Sequence, residues 1–388
     1  MKLGFVGPLS PYHDGDADYN TEILTFLSKS DFTIISYIRQ KNTPKIENIN
    51  YVKLPLHFKY NDIFTDNGKL PDIFHLEIGS SYPSGYVYRF FNLIKEKTHH
   101  IISTLHFLPD NELLPILIRS YRAFLSEPST LFYNLDVPKL KEIIIKSNKI
   151  IVHSNFAKDI LTRRYPECYG KVEVIPIPVS VENIYVSESK SKIREKLEID
   201  NNSFIIVSFG SLTPGKGFEE VIKSIKILKN EGISLKYYLL GSFNFFHYKL
   251  KLMLLIKKLG LESSVKLKGY TSFENVKAYL RAADVIVQPR KGRLSESSSS
   301  LVTALASGTP VIANTNRALK DYLENEKNCL IASYNANDFA NKIKYLYNNQ
   351  ELGFKLGNNA IEWCNNNLSL NVIGERHINV YKKVYNAD

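Results

Sequence analysis

Residues 284–314 read DVIVQPRKGRLSESSSSLVTALASGTPVIAN, and their apolar and polar runs spell strand, loop, helix, strand. Val285, Ile286 and Val287 form a short β-branched run that Pro289 stops. Leu301, Val302, Leu305 and Ala306 recur at helical spacing, and Gly308 is placed to end that helix before Pro310 opens a second apolar run. Between strand and helix lie Arg290, Lys291 and Arg293, then Glu296, then Ser297, Ser298, Ser299 and Ser300. Cations facing the free N–H groups and positive dipole end of a helix make a phosphate site, and Glu296 beside them can orient a neutral, hydroxyl-rich group. A sugar diphosphate presents both. A plainer reading stands next to this one, in which the serines are ordinary helix caps and the cations a solvated face.

The rest of the chain sets the frame for that site. Its 388 residues exceed one ordinary core and suggest two domains, and 44% hydrophobic residues suffice to bury both. Fifty Lys and Arg against 39 Asp and Glu leave a formal charge of +11, which favours anionic partners such as nucleotides, nucleic acid or an acidic membrane face. No nucleic-acid reader motif is present and the basic residues are spread along the chain, so nucleic acid is not the expected partner. Cys168, Cys329 and Cys364 lie far apart and in no metal-ligand spacing, which suits a reducing cytoplasm. Residues 1–8 are apolar over too short a span for a signal peptide, and no run reaches membrane-spanning length; a soluble or surface-bound chain is expected.

Residues 3–6 read as a buried strand, followed by a glycine-bearing turn and a helix over 19–28, which is how doubly wound nucleotide-type domains begin. The turn holds Asp14, Gly15, Asp16 and Asp18. As an EF-hand loop it fails, because Tyr19 and Thr25 stand where a glycine and an acid are needed, so capping of the helix by Asp16 or Asp18 is expected instead. Strands follow at 33–37, 73–76 and 101–105, with a helix at 86–95. His106 directly follows the last of these strands, at the carboxyl end that faces the ligand crevice in open parallel sheets. Residues 112–125 are apolar with Arg119 and Arg122 embedded; they suit either a core helix or a basic face resting on a membrane. Helices at 140–147 and 155–163 alternate with strands at 149–153 and 172–176. Pro176, Pro178 and the polar run 187–192 then read as a hinge.

The second half repeats this logic. A strand at 204–209 leads through Gly210, Ser211, Pro214, Gly215, Lys216 and Gly217 into a helix at 218–229. No Ser or Thr follows a Gly-Lys pair, so this is not a P-loop, yet glycines that let backbone approach a phosphate, with one lysine, are what diphosphate binding needs. Further strands at 236–240, 265–267 and 285–287 direct their carboxyl ends to the same crevice.

These residues resemble the retaining, nucleotide-sugar-dependent glycosyltransferases of family four. The likeness rests on Phe209 to Gly217, Leu239 to Ser242, Val265 to Tyr270, Ala282 to Asp284, and Glu296 to Val311, and more weakly on Asp16 to Tyr19, His106 and Ile151 to Asn155. It implies an α/β chain of GT-B architecture, with two Rossmann-like doubly wound parallel-sheet domains facing across a cleft. Residues 1–178 would form an acceptor-side domain with Gly15, Asp16 and Asp18 in its loop. Residues 193–367 would form the donor domain, and 368–388 a helix crossing back. By the same resemblance, Lys216 and Arg290 would neutralise the donor diphosphate. Glu296 and the amides of Ser297, Ser298 and Ser299 would hold the sugar hydroxyls and distal phosphate, with Gly210 beneath. Tyr270 would lie near the nucleobase, and His106 would meet the sugar. Two positions depart from the family. Ser211 replaces the usual diphosphate arginine, and Thr303 stands where a glutamate usually holds the ribose diol; each lost charge-assisted contact is worth roughly 1.5–3 kcal/mol. The implied partners are a nucleotide sugar and a glycan or lipid-linked acceptor in surface polysaccharide or glycolipid synthesis. No metal cofactor is expected, and the expected location is cytoplasmic, at the inner face of the plasma membrane. A catalytically silent nucleotide-binding relative is the alternative that Ser211 and Thr303 keep open.

Overall fold

The computed structural model describes residues 1–10, 15–38, 45–55, 57–64, 69–79, 84–106, 137–291, 298–315 and 317–387. The chain divides into two compact units. The first holds residues up to Pro178 together with the C-terminal stretch from Leu370, and the second begins at Val179 and runs to Ser369.

The first unit is built on β1 (Lys2–Val6), β2 (Thr33–Ile38), β3 (Ile49–Lys53), β4 (Ile73–Ile78), β5 (Ile101–Leu105), β6 (Lys149–Val152) and β7 (Val172–Val174). They form one sheet in the order β3-β2-β1-β4-β5-β6-β7, every neighbour pair parallel. Strands buried along their length, such as β5 with all five residues buried and three of them Ile or Leu, are what a parallel sheet covered on both faces requires. Helices α1 (Gly15–Leu27), α2 (Ser84–Ile94), α3 (Val137–Lys146) and α4 (Asn155–Arg164) connect the strands. The strand order reverses between β1 and β4, and in such sheets ligands bind outside the carboxyl ends at that switch point.

In the second unit, β8 (Phe204–Phe209), β9 (Leu235–Leu240), β10 (Val265–Gly269), β11 (Val285–Gln288), β12 (Val311–Ala313) and β13 (Leu330–Ile331) form a second parallel sheet, ordered β10-β9-β8-β11-β12-β13. Its switch point lies between β8 and β11, where Ile206 pairs with Val285 and Val207 with Ile286. The helices of this unit are α5 (Val181–Ile184), α6 (Lys190–Lys196), α7 (Phe218–Asn230), α8 (Phe246–Lys258), α9 (Phe273–Ala282), α10 (Ser299–Ala306), α11 (Ala336–Asn348) and α12 (Gln350–Leu368). The last helix, α13 (Leu370–Tyr385), returns to the first unit, where it buries Ile373, Ile378, Val380, Tyr381 and Val384. Each large apolar side chain so buried contributes roughly 1.5–3 kcal/mol. Gly374 lets α13 approach α1, since a Cβ there would stand 2.1 Å from the Phe26 ring.

Three local features differ from the sequence expectations. Helix α1 begins at Gly15 rather than residue 19, so Asp16 and Asp18 lie in its first turn, where a negative charge meets the positive end of the helix dipole. Strand β3 was hidden because its residues, none of them buried, lack the apolar run of its neighbours. The polar run expected as a hinge contains α6. Two of its four cations meet Asp284, which takes Lys190 Nζ at 2.7 Å and Arg194 Nη2 at 2.7 Å, while Lys196 pairs with Glu188 and Ile193 is buried. A charged segment paired in this way reads as a linker from composition alone.

Candidate active site

At the switch point of the second unit, three loops and one helix end are tied together by backbone. Gly210 N donates to Leu240 O at 3.1 Å, and Gly241 N to Gly269 O at 2.7 Å, which couples the carboxyl ends of β8, β9 and β10. A Cβ on Gly241 would fall 1.9 Å from Gly210 O, and Gly241 has φ +137°, so only glycine fits this crossing. Lys291 N donates to Gly215 O at 3.0 Å, joining the loop after β11 to the glycine turn after β8. Asn314 then clamps Arg290, accepting from its N–H at 2.6 Å and donating to its carbonyl at 2.7 Å.

These ties bring Lys216 to the start of α10. A Cβ on Gly210 would stand 3.3 Å from the Ser300 side chain and 4.0 Å from Lys216 Nζ, so glycine, ammonium and helix N-terminus meet at one point. Ser298 caps α10, accepting from Leu301 N at 3.3 Å, and lies 3.2 Å from the Ser300 hydroxyl. Free amides, a helix dipole and one lysine therefore converge on bare glycine backbone, the arrangement that holds a phosphate. Thr303 is half-buried one turn along α10 from Ser299, on the same face, while Ser211 is exposed. Tyr270 follows β10, two strands from β8, and is 72% exposed. Glu296 and Ser297 lie outside the described residues, as do Arg293 and residues 112–125.

In the first unit, the sequence-predicted His106 belongs to a buried polar cluster that sequence reasoning missed. Glu77 on β4, 1% exposed, accepts from His106 Nε2 at 2.6 Å. The other His106 nitrogen, Nδ1, is 3.0 Å from His153 Nε2 and 3.6 Å from Asp16 Oδ1. His75 places Nε2 on Thr104 Oγ1 at 2.7 Å, with Glu77 Oε1 3.1 Å away, and Nδ1 on the Tyr381 hydroxyl at 2.8 Å. His377 bonds the Tyr19 hydroxyl, whose ring packs edge-on against both His106 and His153. Gly79 leaves room for Asp16, whose Oδ2 lies 1.9 Å from where a Cβ would be. Asp18 accepts from the Ser10 hydroxyl, and Gly15 opens α1.

The proton positions follow from the partners. His153 Nδ1 faces the Ile175 carbonyl at 2.9 Å and must donate; burial pushes this ring's pKa down to about 3, so it is neutral and its Nε2 accepts. His106 Nδ1 therefore donates to it. Burial opposes ionisation of Glu77, but attraction to His75 and the hydrogen bond from His106 outweigh it and hold the carboxyl at about 2. An ionised Glu77 makes His106 Nε2 a donor as well. His106 thus carries both protons and is the counter-ion of a buried carboxylate, as a buried charge requires. Both nitrogens are engaged within the unit, so the ring ties β4, β5 and the segment after β6 together. The sequence did carry a signal for this cluster: His75 and Glu77 alternate on one face of a strand with no exposed residue, where unpaired polar side chains are rare. Among the described residues no set of three His, Cys, Asp or Glu side chains is placed to hold a metal ion.

Two parallel sheets of Rossmann order, each with a polar constellation at its switch point, define the GT-B class of fold. Residues 189–363, 175 of the 388, match the glycosyl transferases group 1. The likeness extends to solved structures over the whole chain. Sucrose-phosphate synthase from Thermosynechococcus elongatus superposes with a TM-score of 0.78 at 18% identity, covering 100% of both chains. Anabaena HepE, solved in complex with UDP and glucose, gives 0.73 at 17% identity over 98% of this chain and 99% of its own. Among curated relatives, the poly(ribitol-phosphate) alpha-N-acetylglucosaminyltransferase of Staphylococcus aureus (strain COL) is 27% identical over 203 residues, which is 52% of this chain and 40% of the relative. The match thus spans less than half the length of that curated relative.

Proposed function

We propose that the chain is a retaining glycosyltransferase that moves a sugar from a nucleoside diphosphate sugar to a glycan or lipid-linked acceptor in cell-surface polysaccharide or glycolipid synthesis. The observation that carries this reading is the meeting of Lys216 Nζ, Gly210 and the first turn of α10 at the switch point of the second sheet. Charge at the donor diphosphate grows as the sugar–oxygen bond breaks. Lys216, Arg290 and the amides of Ser298 and Ser299 stabilise it there, and no divalent cation is required. Glu296 holds the sugar hydroxyls. The acceptor oxygen attacks the face that the leaving group vacates, and a departing phosphate oxygen takes its proton, so no enzymic nucleophile is needed. The match of residues 189–363 to the glycosyl transferases group 1 and the UDP-bound neighbour support the nucleotide half of this reading, and the polymer-modifying relative supports the acceptor half.

Isothermal calorimetry with UDP and GDP, followed by a screen of nucleotide sugars for donor hydrolysis, tests the proposal. Binding with turnover is expected. A second reading, a silent nucleotide-binding relative, is favoured by Ser211 and Thr303, where the family usually has an arginine and a glutamate. Binding without turnover of any nucleotide sugar would select it.

A further inference from the structure

The most exposed apolar surface in the second unit lies on α8, away from the chemistry. Phe246 is 80% exposed, Leu254 57%, Met253 49% and Leu250 45%. Helical spacing gathers these four into an arc of about 100°. The opposite face seats α8 in the core through Tyr248, Leu252 and Ile256. Single exposed apolar residues are ordinary, but four on one helix face form a continuous patch that marks a docking surface.

The charges around the patch identify what it meets. Lys249 borders one side and Lys251 and Lys258 the other, Lys257 ends the apolar face in the last turn, and α8 contains no Asp or Glu. Lys251 is paired with Glu219; among the described residues Lys249, Lys257 and Lys258 have no ion-pair partner. An apolar stripe edged by lysines on a helix too short and too polar to cross a bilayer has the composition of a helix lying in a membrane interface. A second copy of this chain fits poorly, because a two-fold contact through the patch would set like charges against each other. We infer that α8 is a peripheral docking surface for anionic phospholipid, with Phe246, Leu250, Met253 and Leu254 entering the acyl boundary and the lysines meeting the headgroups. The inference is independent of the proposed chemistry, since binding is read without donor or acceptor.

Vesicle flotation of the full chain tests it, comparing phosphatidylcholine vesicles with vesicles that also contain phosphatidylglycerol. Binding to the mixed vesicles and weak binding to phosphatidylcholine alone are expected. Combined Lys249→Ala, Lys257→Ala and Lys258→Ala changes should lower the partition coefficient about tenfold or more and flatten its salt dependence. Phe246→Ser with Leu254→Ser should weaken binding at low and high salt alike. Melting temperatures should not fall in either variant, because all these side chains are exposed. Three results would overturn the inference: no preference for phosphatidylglycerol, variants that bind like the parent chain, or an apolar variant that alters only the oligomeric state measured by light scattering.

Discussion

On the proposed reading Glu296 and Lys216 serve different parts of the donor, and single substitutions separate them. If Glu296 orients the sugar, Glu296→Gln lowers turnover by about 10²-fold or more, in line with loss of a positioned transition-state contact, while the melting temperature barely moves. Near-normal rates for the purified variant would sink that assignment and leave the fold untouched. Lys216→Ala acts on the phosphates, and removal of one charge-assisted contact of roughly 1.5–3 kcal/mol weakens UDP binding by about ten- to a hundredfold in calorimetry. Glu77 is a test of a different kind. Glu77→Gln leaves His106 without its counter-ion, and breaking a buried pair costs about 3–5 kcal/mol, read as a lower urea midpoint. A variant as stable as the parent chain would show that His106 is not held as a cation.

At the scale of the element, the proposed phosphate site joins the first turn of α10 to loops held by glycines that tolerate close approach. Gly241→Ala places a methyl group on Gly210 O and forces a left-handed φ on a residue with a Cβ. The crossing of the β8 and β9 loops must then open. UDP binding should weaken by tenfold or more although position 241 would touch no ligand, and calorimetry that finds unchanged affinity would refute the coupling of these loops. The helix start at α10 was legible in its four serines, whereas the Asn314 clamp on Arg290 was not. A lone asparagine after a strand has many roles, and only its two hydrogen bonds to one backbone segment reveal this one.

Across the whole molecule, the buried titratable groups make stability depend on pH. Burial lowers the pKa of His75, brings His153 to about 3 and His377 to about 4, all below their usual 6.5. The unfolded chain therefore takes up protons that the folded chain refuses, and stability falls as pH drops from 6.5 towards 3. Glu22 opposes this in part, because burial and then Asp18 raise its pKa to about 7, so its contribution is lost as pH rises through that value. Three histidines outnumber one carboxyl, so unfolding takes up protons on balance and stability falls as pH drops through the histidine range. Urea midpoints that stay flat between pH 7 and 5 would contradict this. A chelator is expected to leave turnover intact, since on the proposed reading cationic side chains and amides carry the diphosphate charge. Loss of activity that Mg²⁺ restores would reopen the acidic first turn of α1.

Alternating apolar runs, each followed by a glycine or proline turn, were enough to read two doubly wound units and to place Lys216, Arg290 and the four serines at strand ends. That information is local: burial on both faces of a parallel strand demands a continuous apolar run, and a helix N-terminus demands small capping side chains. What the sequence could not supply was any relation between residues far apart in the chain. Glu77 meets His106, and His377 meets Tyr19, only because the strand order and the return of α13 bring β4, β5, α1 and the C-terminal helix together. The charges of α6 looked like a linker until Asp284 stood beside them. The lysine-edged apolar face of α8 is likewise a tertiary fact: residues 246–258 read as an ordinary amphipathic helix until packing through Tyr248, Leu252 and Ile256 decides which side remains in water.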